Sequence, residues 1–412
     1  MIKKLFVTGL TESIFIKNIY SGFTSKEKSI EIVIGSYNNV DMDYYNSRSA
    51  TFNEIKYFKE IFPFKIFALK KFFRIPYNKI MKFTFIYYFF GKNSFFEAIK
   101  FLLLQFNFYF HIKHIEESKN IKNFSFHFMK PLFVFPIFYI NEKKKIVCSF
   151  WGSDLMRTSG TYENYFISEA LKKADVITTQ SLETKEIILS KFGRYLESKI
   201  KIIYFPLNQK IFNFIDKFIN EKEVIKTFKI QNNIPIDKKV IVIGHNGYED
   251  NNHLKIIESF NKIDEKDKNS IVFVMPWTYG GNKSYKEHIK KFVNNLNIEI
   301  IFIEKYLKEM ELALLRIITE YFIMAPKSDA QSATFLEVLY AGGMCIAGDW
   351  LFYGNYRRTK LKFIEINTFR EISKSILSKR KLTEIEIKKN REIIKREYLN
   401  PNIVHDWYEL YT

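Results

Sequence analysis

The chain has 412 residues, 47% of them apolar and 17% aromatic, with 64 Lys and Arg against 45 Asp and Glu for a net charge of +19. That length exceeds the roughly 250–300 residues at which a single core stops growing, so about two domains are expected, and no Gly/Ser-rich or Pro-rich tract reads as a flexible tail. The two cysteines, Cys148 and Cys345, each sit in an apolar run, which excludes a disulfide framework or a cysteine metal site and predicts buried hydrophobes.

The charge is uneven. Residues 1–215 hold 32 basic against 18 acidic side chains, a net +14, whereas the remainder holds 32 against 27. At the N-terminus, Lys3 and Lys4 precede an apolar stretch that Thr8, Thr11 and Glu12 break, which is too short for a secretory signal, and no run of about 18 uncharged apolar residues follows. The expectation is a cytoplasmic protein with reduced cysteines.

In chain order, KKLFVTGL, then EIVIGSY at 31–37, KNFSFHF at 122–128 and KKIVCSFWG at 144–152 read as strands. Helical patterns at 161–173 and 183–193 then alternate with ADVITTQS at 174–181 and KIKIIYFPL at 199–207. After a charged helical segment, a second series opens with KKVIVIGHNG at 238–247, SIVFVMPW at 270–277, IEIIFIEKYL at 298–307, EYFIMAPKS at 320–328 and MCIAGDW at 344–350, with helices between. Such alternation predicts parallel sheets covered on both faces by helices, and so an α/β protein of two Rossmann-like, doubly wound domains facing a cleft. The expected partition is a first Rossmann-like domain at 1–210, a linker at 211–236, a second Rossmann-like domain at 237–375 and a helical segment at 376–412 packing back on the first domain.

The sharpest motif is KSDAQSATFLEVLYAGGMCIAGDW at 327–350. Amides near Ser332 to Thr334, at the start of a helix, can receive a diphosphate, because unpaired N–H groups and the helix dipole both favour an anion. Glu337, one turn on and eight residues after Asp329, can accept hydrogen bonds from a ribose, and Lys327 can offset diphosphate charge. The same pattern also fits any strand–loop–helix–Gly–strand scaffold.

VIVIGHNGYEDNNHL offers a second anion cradle at Gly244 to Asn246, beside His253, though Asn251 and Asn252 also read as helix caps. Tyr279, with Gly280 and Gly281, lies just past the next strand. In the first half, Asp154 of SFWGSDLMR and His127 of SFHFMKP fall at strand ends, where a general base would meet the reacting hydroxyl. Asp154 also reads as a helix cap.

The 329–337 segment resembles the nucleotide-sugar site of retaining GT-B glycosyltransferases, with Asp329 at the first of the two acidic positions as its departure. The order FHFMKP, WGSDL, ADVITTQS, KIIYFPLNQKIF, VIGHNGYEDNNHL and VMPWTYGGNKSY, over about residues 120–290, is similar to the bacterial 4-acetamido-4,6-dideoxygalactosyltransferase family. Asp154, Asn246, His253 and Tyr279 match its motif positions; after residue 300 the likeness fades. That family implies a TDP-activated amino-deoxysugar donor and an undecaprenyl-diphosphate-linked acceptor at the cytoplasmic membrane face. The resemblances together imply transfer of a hexose-type sugar from a nucleotide-diphosphate sugar to a saccharide or lipid-linked acceptor of bacterial surface polysaccharide or lipopolysaccharide. Neither a cofactor nor a metal is expected, since no aspartate pair forms a metal motif. A nucleotide-sugar 2-epimerase of the same fold and a non-catalytic membrane-associated scaffold stay open as alternatives.

Residues 51–110 combine 10 Lys and Arg with 3 Asp and Glu and 17 Phe, a mixture suited to an anionic leaflet. A solvated helix face over a Phe-rich core, enlarged by genomic bias, fits the same composition. Nucleic acid is not expected as a partner, because no recognisable module accompanies the charge.

Overall fold

A computed structural model describes residues 3–10, 14–20, 23, 30–36, 54–57, 79–91, 94–119, 121–294, 296 and 298–412. Of the basic aromatic stretch, residues 51–53, 58–78, 92 and 93 lie outside the described residues. The chain divides into two compact units, Met1–Pro206 with Pro401–Thr412, and Leu207–Asn400.

The first unit is built on a seven-stranded sheet in the order β3-β2-β1-β4-β5-β6-β7. Its strands are β1 Lys3–Gly9, β2 Ile30–Ser36, β3 Glu54–Tyr57, β4 Asn123–His127, β5 Lys145–Ser149, β6 Val176–Thr179 and β7 Ile200–Ile202. Every pairing is parallel. Alternate residues enter opposite cores: Phe6, Phe124 and Cys148 join one apolar cluster, and Leu5, Val7 and Val147 join the other. Burial on both faces is why these strands read as continuous apolar runs.

The second unit carries a six-stranded parallel sheet in the order β10-β9-β8-β11-β12-β13. Its strands are β8 Lys239–Ile243, β9 Ile271–Pro276, β10 Ile300–Ile303, β11 Thr319–Met324, β12 Met344–Gly348 and β13 Ile364–Ile366. Each sheet reverses its direction of growth once, between β1 and β4 and between β8 and β11. At such switch points the following loops diverge and leave a crevice beyond the carboxyl ends of the strands.

The partition differs from the sequence expectation in two places. Residues 211–236, read as a linker, include the helices Gln209–Phe218 and Lys222–Gln231, which belong to the second unit. Ile211, Phe212 and Ile215 are buried there, and the Tyr340 hydroxyl donates to Asp216 Oδ2 at 2.8 Å. The apolar stripe on an otherwise charged helix needs a partner, and a linker would leave it in water. Of the tail 376–412, the helix Glu384–Tyr398 stays with the second unit, while Asn402–Glu409 packs in the first. There Trp407 is fully buried, stacks on Phe205 at 5.9 Å and donates its indole N–H to the Tyr204 carbonyl. Cys148 and Cys345 are both free and buried, and burial raises both thiols.

Candidate active site

In the first unit the switch point is occupied by the protein's own side chains. Gly9, at φ +105°, ends β1 so close to β4 that a Cβ would stand 1.8 Å from the His127 carbonyl oxygen. His127 itself is fully buried. Trp151 Nε1 points at its Nδ1 from 3.4 Å, and an indole nitrogen only donates, so the proton belongs on Nε2. Nε2 lies 2.7 Å from the Tyr20 hydroxyl and 3.2 Å from Ser125 Oγ, and Tyr411 Oη closes the ring at 2.7 Å from Ser125 Oγ. Burial holds the imidazole down to about 3, so it stays neutral.

Asp154 is equally enclosed. Oδ2 accepts from the Met129 amide at 2.7 Å, and Oδ1 accepts from the amides of Trp151 and Leu155 at 2.9 and 3.0 Å. Burial pushes its carboxyl up to about 6, against the pull of these donors. The residue ties the loop after β4 to the loop after β5 and the start of Ser153–Met156. The two groups expected to meet the reacting hydroxyl are therefore a network member and a loop clamp. Each has its polar atoms directed at neighbours in the fold.

The second unit gathers the other expected residues at the carboxyl end of its sheet. The loops after β8 and β9 meet backbone to backbone. The Gly247 amide donates to the Tyr279 carbonyl at 2.9 Å, and a Cβ on Gly281, at φ +74°, would lie 2.0 Å from the Gly247 carbonyl oxygen. This approach brings the Asn246 side-chain amide to 3.4 Å from the Tyr279 hydroxyl. Asn246 Oδ1 is held by the Tyr248 amide at 3.0 Å and by Asn251 Nδ2 at 2.7 Å.

Beneath the turn, Gly244 packs on the buried His253, which lies 3.1 Å from the Tyr285 hydroxyl through Nδ1. Burial, with His245 adding to it, lowers His253 to about 4. The helix it opens is His253–Ser259, and neither Asn251 nor Asn252 caps it with a side chain. Asn252 instead donates to the Ala325 carbonyl at 2.8 Å, fastening the β8 loop to the β11 loop across the switch point.

After β11, Lys327 is exposed, and its ammonium lies 3.0 Å from Asp250 Oδ1. Asp329 Oδ2 accepts from the Tyr353 hydroxyl at 2.7 Å. The helix Ala333–Ala341 begins at Ser332, whose hydroxyl accepts from the Phe335 amide and whose own amide donates to the Tyr356 hydroxyl. The Ala333 and Thr334 amides are those left at this helix start for an anion.

Glu337 departs from expectation. It is only 3% exposed, and its Oε2 accepts from Arg316 Nε at 3.0 Å rather than facing a ribose. Phe335 to Ala341 are buried throughout, and Glu337 lies within that stretch, beyond the half-buried Ala333 and Thr334. A carboxylate at such depth needs a cation, and Arg316 supplies it while donating through Nη2 to Thr334 Oγ1 at 3.2 Å. Arg316 was absent from the sequence expectation, although it is the single charge in the apolar run LALLRII and such a charge calls for a buried partner. The Tyr279 hydroxyl lies within electrostatic reach of both Arg316 and Asp329. Asn246, Tyr279, Asp329, Thr334 and Arg316 thus share one end of the second sheet. Among the described residues no group of three or more His, Cys, Asp and Glu is placed to hold a metal ion.

The fold and this placement define the class: the chain has the GT-B glycosyltransferase fold, two parallel α/β units with switch points at strand carboxyl ends. The structure is similar to a glycosyltransferase from Rickettsia africae, with TM-score 0.68 and 13% identity over 100% of this chain and 98% of that one. It is similar also to the N-terminal domain of Candida albicans trehalose-6-phosphate phosphatase, with TM-score 0.67 and 12% identity over 99% of each chain. A third likeness is to Anabaena HepE in complex with UDP-glucose, with TM-score 0.65 and 9% identity over 98% of each chain. No family model matches the sequence, and no match is found among curated proteins.

Proposed function

We propose that the protein transfers a hexose-type sugar from a nucleotide-diphosphate sugar to a saccharide or lipid-linked acceptor in the assembly of a bacterial surface polysaccharide or lipopolysaccharide. One observation carries this reading: at the switch point of the second unit, two glycine turns in backbone contact stand beside the start of Ala333–Ala341, with polar side chains converging from four loops. The like-folded HepE structure holds UDP-glucose, which supports a nucleotide-sugar donor. The Ala333 and Thr334 amides receive the diphosphate, Lys327 turns from Asp250 to offset its charge, and Tyr279 and Asn246 meet the nucleoside or sugar. Arg316, held by Glu337, keeps the helix start positive as negative charge builds on the leaving diphosphate.

The chemistry is proposed to be metal-independent, so activity kept in EDTA supports it and loss restored by Mn²⁺ refutes it. The sugar and the base of the donor are left to experiment, and an undecaprenyl-diphosphate-linked acceptor would place the work at the cytoplasmic membrane face. The direct test is a thermal-shift panel of UDP, GDP, TDP, CMP and their sugar conjugates, since a ligand of the folded state alone raises apparent stability. A rise with one nucleotide is expected; no rise with any of them defeats the donor site.

A further inference from the structure

The helices Lys79–Ile86 and Phe95–Lys119 pack against each other as a hairpin, joined through the π-helical turn Tyr87–Gly91. Its inner face is anchored: Phe83 lies 4.1 Å from Tyr165, Tyr87 stacks on Tyr162 at 3.7 Å, and Tyr88 stacks on Phe101 at 4.1 Å. Its outer face carries a cluster of exposed apolar side chains. Ile86, Phe89, Phe90, Phe95 and Phe96 are all exposed around the turn, Phe90 at 68% and Phe96 at 86%. Phe89 is linked to Phe90 and Phe95 at 4.7 and 6.0 Å, and Phe95 to Phe96 at 6.4 Å, so the rings form one patch. Leu103, also exposed and two turns beyond Phe96, extends it. A contiguous exposed apolar patch of this kind marks an interaction surface.

We infer that this hairpin tip docks on the anionic surface of a lipid bilayer, with the Phe rings at the acyl boundary and lysines among the headgroups. The charge selects this occupant. Residues 79–103 contain four lysines and one glutamate, within a half-chain of net +14, and Lys82 and Lys100 are exposed on either side of the rings. Two copies of such a tip repel one another, whereas an anionic leaflet attracts both. No helix of the described residues is long and apolar enough to cross a membrane, so the contact lies in the interface plane. This surface would serve the lipid-linked acceptor reading, yet it rests on the exposed rings and the lysines beside them.

The test is co-sedimentation of the whole chain with phosphatidylcholine vesicles containing phosphatidylglycerol. The native chain is expected to bind, and the double variant F90S/F96S to lose about tenfold or more in partitioning with an unchanged melting temperature. Lys82→Gln and Lys100→Gln are each expected to lose roughly fivefold, an effect that disappears with pure phosphatidylcholine. Failure of the native chain to sediment overturns the proposal. So does a double variant that binds as well as the native chain, one that melts several degrees lower because the chain itself covers the rings, or one that turns a dimer into a monomer. Nucleotide thermal shifts are read without vesicles, so failure of either reading leaves the other to stand on its own result.

Discussion

The two units share a strand order and a switch point but use that place in opposite ways. In the first, the crevice between β1 and β4 is plugged: His127, Tyr20, Ser125 and Tyr411 bond among themselves, and Asp154 spends both oxygens on backbone amides. In the second, the loops after β8 and β11 are fastened at their bases by Asn252, while Tyr279 and Lys327 remain exposed at the rim. The same topology therefore carries fully buried side chains at one switch point and exposed rim side chains at the other. Sites, rather than folds, carry chemistry.

The largest effects are expected at two glycines, one in each unit. Gly9→Ala puts a methyl group 1.8 Å from a backbone oxygen at positive φ and is expected to cost about 4 kcal/mol or more, unfolding the first unit in a circular-dichroism melt. Gly281→Ala meets the Gly247 carbonyl oxygen at 2.0 Å and pushes apart the two loops that hold Asn246 and Tyr279, so its effect is expected on nucleotide binding. A Gly281→Ala variant that binds nucleotide normally would break the assignment of this loop pair.

Next in size is the buried pair. Arg316→Ala leaves Glu337 charged and unpaired, an expected loss of about 3–5 kcal/mol in chemical denaturation, whereas the double change Arg316→Met with Glu337→Leu recovers most of it. If the single change is mild, Glu337 is reaching water, and the ribose role returns to it.

His127 gives a pH test. Its folded value near 3 lies below the ordinary 6.5, so between these values the unfolded chain binds more protons. Its contribution is intact above about 6.5 and is lost as pH falls toward 3, by about 2 kcal/mol at pH 5. His127→Gln should flatten the acid limb of stability against pH for the first unit; an unchanged limb means that the imidazole is not sealed. The smallest effect is expected for Tyr279→Phe, which removes one long hydrogen bond to Asn246 and should weaken nucleotide binding by roughly two- to tenfold without moving the melting temperature.

Much of this molecule was legible in its residues. Apolar runs such as VIVI at 240–243 and IVFVM at 271–275 announce strands buried on two faces, and their alternation with helices gives the parallel α/β class. The glycines after β8 and β9 and the Ser–Ala–Thr helix start were visible because they break those runs. The short strand β3 was less visible, and the helical segment at 209–231 was legible as helix but not as part of the second unit, since an amphipathic charged helix reads as a linker until a partner surface exists.

Direction and partnership were decided only in three dimensions. Whether a carboxylate at position 337 greets a ligand or an arginine depends on Arg316, 21 residues earlier on another helix. Whether His127 is a base or a brace depends on Tyr411, 284 positions later along the chain, through the hydroxyl of Ser125. The sequence alone sets the periodicity, the turn residues and the chemistry of each strand end, because these follow from backbone sterics and burial along a few residues. Which strand ends are sealed and which stay open follows from hydrogen bonds between distant segments, and only the folded chain brings those atoms within 3 Å.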